Sequence, residues 1–318
     1  MEHIGFALNA VLPSMMLLLL GAWLRSKNIL SSTFSSEGDK LCFKILLPAL
    51  VFKSIVSGGS DPSGYLKSIF FCIVLIAVSI VVGLLIVPRF TSNRKQIAVI
   101  IQGAYRSNYA MYGIAFSQLL GNDETVAIAS IIAAATLPVL NTTSIAMYAH
   151  YTGDKKHSIL RTLIIVMKNP IIWAILLALA INYADLTVPV IISSFVKNLA
   201  SITTPLAFIL LGTRLTKEYM KADIKITALV LFVKLVVMPA IFLPVAVMLF
   251  NIRGPELIQV FLFAAAPCAV TTYQLAVQYE ADERLAGNLV TVSTLVSAVS
   301  ICFIISALRS ICDAMLAL

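Results

Sequence analysis

Long apolar segments alternate with short polar connections over the whole chain. A transmembrane helix needs about 20 predominantly apolar residues, and this criterion divides the sequence into ten predicted spans. Their ranges are 4–24, 38–57, 65–87, 96–119, 124–149, 170–184, 189–213, 224–250, 257–279 and 285–309. The connections are too short to hold a separate soluble domain. The pattern therefore predicts an all-α polytopic protein with ten transmembrane helices in a lipid bilayer.

The fourth and ninth predicted spans each contain a polar island between two apolar flanks. The first island covers 102–113 and includes Arg106, and the second covers 266–274 and includes Pro267. A cation near the centre of a bilayer costs about 3 kcal/mol or more, so it is tolerated mainly where it faces a cavity or an anion. Proline breaks a helix, whereas the first island has no proline and contains two glycines instead. Interrupted helices in corresponding halves of a membrane protein indicate a transporter site.

The ten spans also divide into two halves that resemble each other. Spans 2 and 7 each carry a central proline, Pro48 and Pro205, and spans 4 and 9 carry the polar islands. Each half has five spans, and a repeat with an odd number of spans inverts its orientation across the membrane. We therefore predict two inverted five-helix repeats whose broken helices 4 and 9 cross.

Composition agrees with this class and excludes several others. The chain has 318 residues, of which 60% are hydrophobic and 12% charged, and its mean hydropathy is +0.97. The five cysteines lie in apolar segments without a CxxC or Cys/His cluster, so neither disulfides nor a metal site are expected. The sequence has no HExxH or GxSxG motif and no paired intramembrane aspartates. We expect neither an enzyme nor a bound cofactor.

The net charge of +8 reports topology rather than a nucleic-acid partner. One set of alternate connections carries fifteen lysines and arginines, and the other set carries only Lys67, Arg253 and Arg309. Basic residues collect on the cytoplasmic side of membrane proteins. The bias predicts a multi-pass protein of the plasma membrane with both termini outside.

Acidic residues fall only in loops or at the ends of spans, whereas five basic residues lie within spans. We expect a central cavity without an acid, which favours an anion and disfavours a dedicated sodium site. Lys44 and Lys53 lie close enough to an interface to snorkel. Lys234 lies near the middle of span 8, where it either couples transport to protons or stays charged and bonded to backbone carbonyls or Asn141.

Three motifs occur in this order along the chain: Arg106–Tyr109 (RSNY) in span 4, Lys168–Ile172 (KNPII) at the start of span 6, and Ala266–Val270 (APCAV) in span 9. Together they resemble the auxin efflux carrier family, whose bacterial members include malate-permease-like and malonate-permease-like proteins. The resemblance covers essentially the whole chain. Plant members have a long loop between spans 5 and 6, where this chain has only about 20 residues, so it is similar to the compact bacterial type.

The resemblance implies a fold similar to that of bile-acid symporters and sodium–proton antiporters. It implies a scaffold of spans 1, 2, 6 and 7 (residues 1–57 and 169–213), through which two copies form a homodimer. It further implies a mobile transport core of spans 3–5 and 8–10 (residues 65–150 and 224–309). The core would move against the scaffold in an elevator-like cycle.

The candidate substrate-binding residues lie in or near the two islands. They are Arg106, Asn108, Tyr109, Asn141, Pro267, Cys268, Thr271, Thr272 and Gln274. Arg106 either contacts the anion or caps carbonyls that the break leaves free, and Asn108 either binds substrate or bonds to the backbone. For the other polar residues the alternative is helix packing.

These features predict a secondary transporter for a small organic anion, a carboxylate, that works as a uniporter. The alternatives are a proton-coupled carrier that uses Lys234, or a channel or non-transporting receptor for the same class of ligand.

The charge bias gives a direct test of topology. Single cysteines introduced at Asp61 or Asp123 should react with an impermeant reagent added outside intact cells, whereas one introduced at Lys155 should not. Labelling of Lys155 from outside, with protection of the other two positions, would reverse the assignment.

Overall fold

The computed structural model describes residues 2–58, 62–120, 123–153, 170–214 and 223–297. The described residues are almost entirely helical. The helices are α1 (Glu2–Ser26), α2 (Ser32–Leu41), α3 (Leu47–Gly58), α4 (Leu66–Ile86), α5 (Arg94–Tyr105), α6 (Ile114–Leu120), α7 (Asp123–Thr152), α8 (Pro170–Tyr183), α9 (Val190–Thr213), α10 (Ile224–Phe232), α11 (Met238–Phe250), α12 (Gly254–Ala265), α13 (Val270–Gln278) and α14 (283–297).

Three π-helical turns join or extend these helices. They are Cys42–Leu46 between α2 and α3, Tyr109–Gly113 before α6, and Val233–Val237 between α10 and α11. A π turn inserts an extra residue and rotates the side chains that follow it, and such turns are frequent at functional sites. Lys44 and Lys234 both lie within these turns.

The helices are those of a multi-pass membrane protein. Among the described residues, four continuous helical segments are long and apolar enough to cross a bilayer: Leu66–Arg89, Asp123–Thr152, Val190–Thr213 and Ile224–Phe250. Shorter apolar helices include Pro170–Tyr183 and Gly254–Ala265. The predicted loop between spans 5 and 6 and the end of predicted span 10, residues 298–309, lie outside the described residues.

Large apolar side chains cover the outer surface of several helices. Leu85 on α4 is 59% exposed, Ile191 on α9 is 85% exposed and Met248 on α11 is 82% exposed. Lipid chains solvate such side chains at no cost, whereas water does not. The polar side chains are instead concentrated inside the helix bundle.

Local signals in the sequence account for several helix ends. Ser31 accepts a hydrogen bond from Phe34 N at 3.0 Å and so caps α2, and Asn93 accepts one from Lys95 N at 3.1 Å and caps α5. Asn251 ends α11 in the left-handed conformation with φ 51°, which asparagine tolerates better than most residues.

The interrupted segments are the features that position the site. Helix α5 ends at Tyr105, and the π turn that leads into α6 begins at Tyr109. Helix α12 ends at Ala265, and α13 begins at Val270. The first interruption therefore comprises residues 106–108 and the second residues 266–269.

Helix α1 packs against α9 through two glycines. A Cβ atom on Gly21 would lie 2.0 Å from Ile209 O, and one on Gly212 would lie 1.9 Å from Leu18 O. Small residues at such crossings allow two membrane helices to approach until their backbones touch. The neighbouring helix backbone leaves no room for a side chain at either position.

We predict that Gly21→Ala and Gly212→Ala each destabilise the protein by about 1–3 kcal/mol, because α1 and α9 must separate to admit the methyl group. Thermal unfolding of the purified protein, followed by tryptophan fluorescence, measures the change. Gly64→Ala is the matched control, since nothing lies within 4 Å of its Cβ position. Equal effects at all three glycines would contradict close packing of α1 on α9.

Candidate functional site

The two interruptions bind each other through their backbones. Asn108 N donates to Pro267 O at 2.8 Å, and Ala269 N donates to Arg106 O at 3.2 Å. Ser107 and Cys268 form the antiparallel bridge between these bonds. Backbone groups inside a bilayer must find partners within the protein. Each interruption therefore satisfies groups that the other leaves free.

The carboxyl end of α5 has partners from three directions. Arg106 N donates to Gln102 O at 2.8 Å, and Cys268 Sγ donates to Gly103 O at 3.1 Å. Lys234 Nζ donates to Ala104 O at 3.3 Å. The last carbonyls of a helix lack partners within it and carry partial negative charge, so cations bind favourably there. Cys268 and Lys234 consequently act as caps on α5.

Arg106 is buried, and its guanidinium joins both islands to α7. Its Nε donates to Thr271 Oγ1 at 2.7 Å, and one terminal nitrogen donates to Leu140 O at 2.6 Å and to Ser144 Oγ at 2.8 Å. The other terminal nitrogen donates to Asn141 Oδ1 at 2.7 Å. A guanidinium has five N–H groups, so these four bonds leave one free. All four acceptors are uncharged, and the positive charge is not neutralised by them.

A cavity of about 350 Å³ opens beside this network. Five of the sequence-predicted residues line it: Arg106, Asn108, Asn141, Thr271 and Gln274. The opposite wall comes from α2 and the π turn after it, and it includes Asp39, Lys40, Phe43 and Lys44. The cavity lies where the two interrupted helices meet α2 and α7.

The other candidate residues lie outside the cavity lining. Tyr109 is buried, and its hydroxyl donates to Gln259 Oε1 at 2.9 Å on α12. Thr272 is buried on α13, and Pro267 contributes its carbonyl to the backbone bridge. Cys268 N already donates to Ser293 Oγ at 2.9 Å, and so it is not available to a substrate. Lys234 caps α5 as described above.

Sequence reasoning missed the wall formed by α2. Asp39 lines the cavity, so the expectation of a cavity without an acid was wrong. Its carboxylate is paired with Arg214, which offsets its charge. Lys44 also lines the cavity, although its distance from the interface suggested only snorkelling. Lys53 pairs with Asp123 at 2.7 Å.

Two buried polar groups at the interruption have no hydrogen-bond partner within the described residues. They are Ser107 Oγ and Asn108 Nδ2, whose residues both line the cavity. A buried polar group without a partner costs about 1–3 kcal/mol, so a bound ligand that accepts from it recovers that cost. The same described residues contain no group of three His, Cys, Asp or Glu side chains placed to hold a metal ion.

A family model described as "membrane transport protein" matches residues 6–305. The chain belongs to this family. The match covers most of the chain and confirms the resemblance to the auxin efflux carrier family. No curated protein matches the sequence. This membrane transport protein thus combines two interrupted helices with a polar cavity at their meeting point.

Two adjacent threonines test the Arg106 network. Thr271→Val removes an acceptor from a buried guanidinium and should destabilise the protein by about 1–3 kcal/mol. Thr272→Val is the matched control, because the Thr272 hydroxyl is buried and has no partner among the described residues; its removal should change stability by less than about 0.5 kcal/mol. Thermal unfolding in one detergent compares them, and a larger effect at Thr272 would contradict the network.

Proposed function

We propose that this membrane transport protein is a carrier that moves a small organic anion, a carboxylate, across the plasma membrane by alternating access at the cavity. One observation carries the proposal. The cavity beside the two interruptions is lined by Arg106, Lys40 and Lys44, and Asp39, the acidic residue in its lining, is already paired with Arg214. An anion supplies the negative charge that these three cations lack.

The groups that would bind the carboxylate differ in role. Asn108 Nδ2 and Ser107 Oγ are buried and have no protein partner among the described residues, so a small rotation of either side chain towards the cavity lets it donate to the anion. Arg106 has one free N–H and a charge that its neutral partners leave intact. Val270 begins α13 near the cavity, and the first N–H groups of a helix favour negative charge. We therefore propose that Arg106 attracts the carboxylate mainly through its positive charge, and that Asn108 donates a hydrogen bond to it.

The size of the cavity favours a small substrate. Its volume of about 350 Å³ lies at the lower end of the range of roughly 300–1,000 Å³ for small-molecule sites. Phe43, Met111 and Ile171 supply apolar wall beside the polar groups. A short-chain or aromatic carboxylate suits this combination.

The proposal includes the architecture that the family implies. Ten spans form two inverted repeats, with residues 1–57 and 169–213 as scaffold and residues 65–150 and 224–309 as transport core, both termini outside. The scaffold helices α8 and α9 carry exposed apolar side chains, including Trp173 and Phe195, which lipid or a second copy in a homodimer can cover. An elevator-like movement of the core carries the anion across.

We propose uniport rather than proton coupling. Lys234 does not line the cavity; it donates to Ala104 O at the carboxyl end of α5, where a permanent positive charge is favourable. An anion moved alone carries charge, so an inside-negative potential favours export by about 2.3 kcal/mol per 100 mV. Proton coupling through Lys234, or a channel or receptor that binds the same anion, are the alternatives.

Counterflow in proteoliposomes tests the carrier function. Thermal-shift screening of malonate, malate and benzoate first selects the anion that stabilises the protein. If the protein is a carrier, labelled anion should then enter vesicles preloaded with unlabelled anion. If it is a receptor, no labelled anion should enter. Asn108→Ala should lower uptake at least about tenfold, because a charge-assisted bond is lost. Arg106→Ala should also lower uptake at least about tenfold, and Arg106→Lys should restore only part of the uptake that Arg106→Ala loses, because lysine keeps the charge but not the planar set of donors.

Tyr109→Phe is the matched control, since it removes a neighbouring hydroxyl that points away from the cavity. It should keep uptake within about twofold of the parent protein. Equal losses in Asn108→Ala and Tyr109→Phe would show that the interruption matters only for folding. Current without exchange would indicate a channel, and a pH dependence abolished by Lys234→Met would indicate proton coupling.

A further inference from the structure

A second cavity, of about 260 Å³, lies beside the first. It forms between the end of α1, the start of α2, the end of α9, α13 and α14. Arg25 and Arg214 line it together with the hydroxyl residues Ser32, Ser35, Thr213 and Thr291. Among the residues that the structure describes, its lining contains two cations and no acidic residue.

Arg25 and Arg214 supply the charged donors of this cavity. The hydroxyls of Ser35, Thr213 and Thr291 already donate to backbone carbonyls at 3.2, 2.7 and 3.3 Å. Arg25 uses one terminal nitrogen to bond Leu30 O at 3.2 Å, which holds the side chain while leaving other N–H groups free. Arg214 Nε is buried and has no partner among the described residues. A buried cationic N–H without an acceptor is costly.

Arg214 also separates the two cavities. One of its terminal nitrogens binds Asp39, which lines the first cavity, while Arg214 itself lines the second. Val270, at the start of α13, lines both. The second cavity is therefore adjacent to the first and divided from it by an ion pair and one side chain.

We propose that the second cavity is a binding site for a small oxyanion, a carboxylate or phosphate group, held between Arg25 and Arg214. The oxyanion accepts from free N–H groups of Arg25 and, once the Arg214 side chain rotates to expose it, from Arg214 Nε, as planar guanidinium groups favour. The site does not depend on a movement of the proposed core against the scaffold, so it is independent of whether the first cavity transports. Its ligand is either a free anion or the headgroup of an anionic lipid, both of which present the same oxygen atoms.

A cysteine at Ser32 reports the charge that an entering reagent meets. The Ser32→Cys protein is placed in phosphatidylcholine nanodiscs, and two methanethiosulfonate reagents modify the new cysteine. One reagent carries an anionic sulfonate and the other a cationic trimethylammonium group, and the two rates of modification are compared. The parent protein, which keeps all five native cysteines, is the blank whose rate is subtracted; of these, Cys42, Cys72 and Cys268 are buried. The ratio of the sulfonate rate to the trimethylammonium rate should exceed the ratio measured with a small free thiol. Arg25→Gln should lower this ratio at least about threefold, since a local charge changes encounter rates.

Two further variants separate the site from general charge. Lys27→Gln removes an equal charge two residues away, outside the cavity lining, and should change the ratio less than about 1.5-fold. The pair Asp39→Asn with Arg214→Gln leaves the net charge unchanged and no lone carboxylate, yet it should lower the ratio at least about threefold. Size-exclusion chromatography confirms that each variant is folded.

The two sources of the oxyanion are distinguished by protection. Succinate at constant ionic strength should slow modification if a free anion occupies the cavity. Phosphatidylglycerol in the nanodisc should slow it, with succinate ineffective, if the occupant is a lipid headgroup. Ratios that are unchanged in both Arg25→Gln and the double variant, or modification that neither compound slows, would overturn the proposal.

Discussion

An interruption of a helix inside a bilayer leaves backbone groups that lipid cannot bind, and this constraint shapes the centre of the protein. Each such group left alone costs several kcal/mol. Asn108 N and Ala269 N find acceptors in the opposite interruption, and Cys268 N finds Ser293. The two interruptions are therefore each other's partners. Neither half of the chain can form its broken helix at low cost until the other half is in place.

The same constraint explains why an arginine occupies the centre. Arg106 donates four hydrogen bonds to two chain segments, α7 and α13, which Tyr148 Oη also joins by donating to Thr272 O at 3.0 Å. A neutral side chain offers fewer donors. Because its acceptors are a hydroxyl pair, an amide and a carbonyl, the structural bonds leave the charge in place. A residue that holds the fold together thereby also brings a positive charge to the cavity.

Much of the fold follows from the sequence, because polar islands within apolar segments are rare and their cost in a bilayer is high. Arg106 and Asn141 could be placed near a common site on that basis. The direction of individual side chains could not. Thr271 and Thr272 are adjacent on a helix, where successive side chains point about 100° apart, so only one faces the cavity. The π turn at Tyr109–Gly113 further shifts the register of the residues that follow.

The wall formed by α2 was beyond sequence reasoning for a different reason. Asp39, Lys40 and Lys44 lie 58 to 63 positions before the first island, and their spacing resembles that of an ordinary helix end at an interface. What makes them cavity residues is the packing of α2 and the following π turn, a tertiary contact. The periodicity of apolar residues predicts which face of a helix is buried, but it does not identify the segment against which that face packs.

In the proposed division into core and scaffold, one wall of the cavity belongs to the moving core and the other to the fixed scaffold. Arg106, Asn108, Asn141, Thr271 and Gln274 belong to the proposed core, which the Arg106 network holds together. Polar contacts across the division include the partly exposed ion pair of Lys53 with Asp123, which contributes only about 0–1 kcal/mol. They also include the hydrogen bond of Thr204 with Gln118, which contributes about 0.5–1.5 kcal/mol. They can break without disturbing the network. Lys40 and Lys44 belong to the wall that stays, so an anion bound mainly to them would be left behind when the core moves. Alternating access therefore requires that the core residues bind the anion more strongly than the lysines do, which limits the lysines to attracting it.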